Sequence, residues 1–325
     1  MKNSTDDTLS LSDTKVADHL GKLHDGLANT VAFGTEILAT DFNRGGTELD
    51  LPVLLFLRNL ITTADGIAVL VKHSITEPAN NLLRTALENF LSIEYLLGED
   101  QMATQRAASF MVWFFAEQQR WLKKGDIHSA EYQEILKKHK RDKAFHNIPP
   151  MVMPMADKQL KKIEEVFHTS AFKDTKAEYD RLKTARKRSP MWYHLHNGPS
   201  SLEELANRVG YPAIYEMLYR GLSISTHGNN ILSGKLQFNE ISNAEPVHLR
   251  DSYGAESVVN HCMNFCRLAY RTVVTKRMPF MADRYNQWLK ESSNFNKEIS
   301  AVIQENIDRE NDAMVSWVTK PESNR

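Results

Sequence analysis

Arg220 and His227 offer the clearest chemical possibility in this chain. They lie seven residues apart in YPAIYEMLYRGLSISTHGNN, residues 211–230. Seven residues are two helical turns, so one helix face can present both. Arginine stays charged and grips phosphate oxygens in a fork. Histidine titrates near neutrality and can act as acid or base. Metal-free RNA cleavage needs these functions: a base for the 2′-hydroxyl proton, an acid for the leaving oxygen, a cation for the phosphorane. Gly221, Ser223, Ser225 and Thr226 keep the segment small, which would let another backbone approach. In the last helical turn, the C-terminal dipole would favour protonated His227. Tyr219, Ser223 and Trp192 are candidate supporting residues.

The pattern is permissive. Arginine followed by histidine after four to six residues also occurs at Arg141–His146 and Arg188–His194. Arg220–His227 alone sits in a convincing helical pattern. The competing reading has Arg220 and His227 bonded to neighbouring helices inside a bundle.

Arg84 and Glu88 stand four apart on an apolar helix. They read either as a structural ion pair or, for Arg84, as a second phosphate-binding cation. Basic runs at Lys137, Lys138, Lys140, Arg141 and at Arg186, Lys187, Arg188 would attract RNA. Between Lys123 and Arg188, 17 Lys and Arg stand against 10 Asp and Glu, although solvated helix faces can be equally lysine-rich. His194 and His196 have no carboxylate or cysteine at metal-ligand spacing beside them, so no metal is expected. Phosphate-loop, dinucleotide and nucleophile-elbow motifs are absent, and no cofactor is implied.

These residues need helices to position them. Leu20, Leu23, Leu27 and Val31 recur at helical spacing in residues 15–40. A second helix fits Leu51–Val71, with Pro52 in its first turn. A third begins at Thr76 and runs to about Leu97, and an aromatic-rich fourth covers Gln101–Lys124. Ile148 to Pro154 reads as an extended connector. Ser200-Ser-Leu-Glu203 is a capping-box pattern that opens a short helix. Pro212 opens the Arg220 helix, with Gly228 as its stop. Two long C-terminal helices fit Glu256–Arg277 and Pro279 to about Val318. The expectation is an all-α helical bundle: a single domain over 13–318, with a basic insert near 125–190. Residues 1–12 and 319–325 read as tails.

The composition suits a globular protein, with 42% hydrophobic residues, 25% charged residues and a net charge of −1. No global charge steers it to nucleic acid or membrane. Cys262 and Cys266 are too few for a disulfide framework, which suggests a reducing compartment. The N-terminus has no apolar signal core. The Leu51–Val71 run is interrupted by Arg58, Asn59 and Asp65, which fits a buried core helix and no membrane. A cytoplasmic location is the expectation.

Two segments resemble the bacterial family catalogued as domain of unknown function 5677. One is Leu82-Leu-Arg-Thr-Ala-Leu-Glu88 followed by Tyr95-Leu-Leu97. The other is Trp192, Ser201-Leu-Glu-Glu-Leu-Ala206, Tyr215, Tyr219-Arg-Gly-Leu-Ser223 and His227-Gly228. The resemblance spans roughly residues 50–235 and implies a helical fold with no settled activity. The Arg220–His227 helix is also similar in form to the signature of HEPN ribonucleases. That similarity implies an often dimeric, metal-independent ribonuclease of phage-defence or toxin systems. RNA, a second copy of the chain, and an antitoxin or defence partner would then be its partners. The alternative is a non-catalytic helical module for interaction or anion binding.

Overall fold

Helical periodicity in the sequence becomes helix along most of the chain. The computed structural model describes residues 14–142, 156–222, 236–238, 244–246, 250, 252 and 254–292. The helices are α1 (Thr14–Asn43), α2 (Leu51–Lys72), α3 (Thr76–Leu97), α4 (Asp100–Gly125), α5 (Ala130–Lys138), α6 (Ala156–Phe167), α7 (Lys173–Arg186) and α8 (Leu202–Arg208). They are followed by α9 over residues 212–222, α10 (Ala255–Arg277) and α11 over residues 282–292. A ribbon of β1 (Leu236–Phe238) and β2 (Ala244–Pro246) pairs Gln237 with Glu245. Among the described residues the fold is all-α apart from this ribbon. The Ile148–Pro154 connector and the two tails lie outside the described residues.

Local chemistry sets the boundaries. Thr47 caps the turn that leads into α2: its hydroxyl accepts from Leu49 N at 3.2 Å, and the Asp50 carboxylate accepts from Thr47 N at 2.8 Å. Ser129 caps α5 by accepting from Tyr132 N at 3.0 Å. The α8 cap falls one residue later than the Ser200–Glu203 box. Ser201 Oγ accepts from Glu204 N at 3.1 Å, and the Glu204 carboxylate takes the Ser200 N–H at 2.8 Å. The expected last helix begins with a tight turn, Pro279–Met281, before α11, which is described to residue 292.

The described residues group into two compact units. One comprises the chain up to Gly46, Val53–Gly98 and the part from Val209 onward; the other comprises Thr47–Pro52 and Glu99–Arg208. The sequence suggested one domain with an insert near 125–190. The longer part of the second unit, Glu99–Arg208, starts at the Gly98–Asp100 break and contains all of α4 as well as that insert.

In the first unit α10 packs along α3 and α1. Leu20, Leu23, Leu27, Leu83, Leu87, Phe90, Val259, Cys262 and Cys266 are fully or almost fully buried. Phe90 stacks on Phe265 with centroids 5.6 Å apart, and Phe33 stacks on Trp288 at 4.5 Å. Gly34 is required in α1: a Cβ there would stand 2.1 Å from Tyr270 Oη, and that hydroxyl donates to Thr30 O at 3.2 Å. Asp41, its side chain fully buried, accepts two bonds from Arg277, at 2.7 and 3.1 Å.

Residues Glu48–Lys72 are long and apolar enough to cross a membrane by length and composition. Within the fold, α2 buries Val53, Leu57, Leu60, Ala64, Ile67 and Val71 and exposes Arg58, Asn59, Thr62 and Asp65. Asn59 reaches α3, where its amide donates to the buried Asn89 at 3.0 Å.

In the second unit α4 packs against α5, α6, α7 and the Trp192–His194 turn. Trp192 is buried edge-on to Phe110, with centroids 5.8 Å apart.

Candidate functional site

Arg84 and Glu88 lie one turn apart on α3, and α9 runs back along that helix. Tyr211, just before α9, meets Phe90 edge-on at 4.8 Å. Eight residues later Tyr219 reaches Arg84 and Glu88. The intervening Tyr215 stacks on Tyr219 with centroids 4.8 Å apart. The segment Tyr215–Tyr219 is a π turn, widened relative to the α-helix on either side. Tyrosines every four residues outpace the 3.6-residue period, and the wide turn absorbs the difference.

The three side chains form a closed network. Arg84 Nη2 donates to Tyr219 Oη at 2.6 Å, and Tyr219 Oη donates to Glu88 Oε1 at 2.9 Å. Arg84 Nε donates to the same Glu88 oxygen at 3.3 Å. Burial, with the Glu88 charge second, pushes the Tyr219 hydroxyl up to about 12, so it is a neutral donor at any physiological pH. Burial works against the Arg84 charge, but Tyr219 and Glu88 outweigh it and the guanidinium is raised. Arg84, 19% exposed in its side chain, is thus a bonded member of the network and not a cation presented to solvent.

Arg220 follows the π turn and faces another way. Its side chain is 53% exposed and pairs with Glu216, 59% exposed, at 3.0 Å. His227 and Ser223 lie outside the described residues, and so does His146.

Among the basic residues expected to attract RNA, Lys137, Lys138, Lys140, Arg141, Lys187 and Arg188 are exposed. Arg186 is half-buried, with Nη1 2.7 Å from His194 Nδ1. The same Nδ1 accepts from Met191 N at 3.0 Å. Burial, with the Arg186 charge second, holds His194 at about 4, so its ring is neutral near pH 7. Among the described residues no three His, Cys, Asp or Glu side chains converge as a metal site. Cys262 and Cys266 are buried free thiols, and their mutual bond together with burial raises the Cys262 thiol.

A second polar cluster was not anticipated. Thr272 of α10 donates to Glu94 of α3 at 2.5 Å. Burial raises that carboxyl against the pull of Thr272 and Arg271. Burial, with the Glu94 charge second, raises the Tyr211 hydroxyl, and Arg271 opposes that rise. Glu94, at i+6 from Glu88, gave no pairing signal within its own helix.

The fold and site therefore define an all-α protein whose Arg220-bearing helix is clamped through a tyrosine to an R-x-x-x-E helix. The sequence profile of the family of unknown function DUF5677 matches residues 50–243, and the chain belongs to that family. No curated protein and no solved structure matches the chain significantly.

Proposed function

We propose that the protein is a HEPN-like, metal-independent endoribonuclease. Arg220 would hold the scissile phosphate and His227 would move the proton. The 2′-hydroxyl attacks phosphorus and gives its proton to a base. The bond to the 5′-oxygen breaks and that oxygen takes a proton, leaving a 2′,3′-cyclic phosphate and a 5′-hydroxyl. The observation that supports this is the exposure of Arg220 immediately after a π turn, a local irregularity common at functional positions. The Arg84–Glu88–Tyr219 network supports the reading by fixing the helix that carries Arg220. Under this reading the protein acts in the cytoplasm as a homodimer, within a phage-defence or toxin system.

A second reading, a non-catalytic interaction or anion-binding module, draws on the engagement of Arg84 by Glu88 and Tyr219. An RNA cleavage assay in EDTA with wild type, Arg220→Ala and His227→Ala separates the two. The ribonuclease reading expects metal-independent cleavage that falls by about 10²–10⁴ in His227→Ala, with melting unchanged. Wild-type protein that leaves RNA intact would refute it in favour of the module.

A further inference from the structure

The C-terminal half of α4 is flanked by two grooves of opposite character. In one, Trp113, Phe114 and Trp121 of α4 face Lys162 and Ile163 of α6 around a cavity of about 550 Å³. Trp121 is 61% exposed there, unusual for the largest apolar side chain. Lys124 Nζ lies 4.9 Å and the Arg120 guanidinium 5.3 Å from the centre of its ring. In the other, Arg120 and Lys123 of α4 face Lys176, Tyr179 and Lys183 of α7 around a cavity of about 240 Å³. Carboxylates are present too. Glu117 pairs with Arg120, Asp180 pairs with Lys176 at 2.6 Å, and Glu131 lines the smaller groove. Lys123, Lys162 and Lys183 make no ion pair among the described residues, so the cationic character is not cancelled.

We propose that this face of the second unit binds single-stranded nucleic acid, with bases stacking in the Trp113–Trp121 groove and phosphates lying along Lys123 and Lys183. Flat aromatic rings beside a basic track are what an unpaired strand requires: every base has a face to stack, and every phosphate needs a cation. A duplex keeps its bases stacked on one another and offers this surface only phosphates. An acidic peptide would use the lysines and leave the tryptophans without a role. The proposal supplies a substrate grip for the ribonuclease reading, and rests on that reading only for the choice of RNA as the strand.

The test is fluorescence anisotropy with a labelled single-stranded oligouridine of about 12 nucleotides, a length within the usual range for such sites. Full-length Arg220→Ala protein is used throughout, so binding is read whatever becomes of cleavage. Trp121→Ala should weaken binding about tenfold. Lys123→Glu with Lys183→Glu should weaken it and lower the salt slope by about one per charge removed. Trp121 and Lys183 are exposed and Lys123 is half-buried, so these variants should melt close to the parent. Trp121→Ala binding as tightly as its parent overturns the proposal, as does equal affinity for a duplex of the same length or for polyglutamate. Binding in a protein whose wild type does not cleave sinks the ribonuclease reading and leaves this surface standing.

Discussion

Arg84 lies over the ring of Tyr219, its guanidinium carbon 4.6 Å from the ring centre, while its Nη2 bonds the hydroxyl of the same residue. One tyrosine therefore meets the cation with both its face and its oxygen. That oxygen passes the contact on to Glu88. Tyr219→Phe keeps the face and removes the oxygen. It should cost about 1 kcal/mol in urea denaturation, because Arg84 and Glu88 retain each other. Tyr219→Ala should cost several times more.

The raised Tyr219 hydroxyl carries a sign. The folded protein holds this proton more tightly than an unfolded chain, where tyrosine titrates near 10. Its contribution is complete below about pH 10 and is lost as pH rises toward about 12. Tyr219→Phe should flatten the fall in melting temperature across that interval.

His194 predicts the opposite slope. Its folded value of about 4 lies below the ordinary 6.5, so the unfolded chain takes up the proton first. Stability should be complete above about 6.5 and decline as pH falls toward about 4. Protonating Nδ1 removes the acceptor for both Arg186 and Met191 N. Ring NMR signals should show His194 still neutral at pH 5.5, and His194→Gln should reduce the loss of melting temperature between pH 7 and 5.

Asp41 and Arg277 form the most deeply buried ion pair among the described residues, with side chains 0% and 10% exposed. Removing Arg277 takes both of its bonds from the buried Asp41 carboxylate and leaves it Arg44, whose Nε donates to it at 3.2 Å. Asp41→Leu or Arg277→Leu alone should destabilise by about 3–5 kcal/mol in urea, and the double substitution by much less. Equal losses in the single and double variants would mean that the pair contributes through packing alone.

Glycines in α1 should separate cleanly. Gly34→Ala drives a methyl into Tyr270 and should cost about 1–3 kcal/mol or more. Gly21 has nothing within 4 Å of its missing Cβ, and Gly21→Ala should stabilise by about 0.5–1 kcal/mol. Melting curves of the two variants test both.

The helices were legible because their signals are local. Pro52 in a first turn, the restart at Thr76 and the Gly98–Asp100 break mark boundaries that the structure keeps to within a residue. Arg84, Glu88 and Tyr219 could be named from residue type and spacing. Their meeting could not, because Tyr219 bonds residues 135 and 131 positions away. The π turn escaped because periodicity averages over it. Arg186 looked like part of a solvated basic run, but sequence does not reveal that one member of such a run turns toward a buried histidine. The division into two units was equally hidden. It depends on which helices α4 packs against, and an aromatic-rich helix can pack against many.

The first unit is assembled from chain lying on both sides of the second, and its core closes only when α10 packs along α3 and α1. A ribosome delivers α1, α2 and α3 first, then all of α4 to α8, before it reaches Val259, Cys262 and Phe265. The second unit can complete itself during that interval. The apolar faces of α1 and α3 must wait in the open for a helix not yet made. A nascent chain stalled anywhere between residues 98 and 255 would expose those faces, which makes it a natural client for chaperones and a target for proteases.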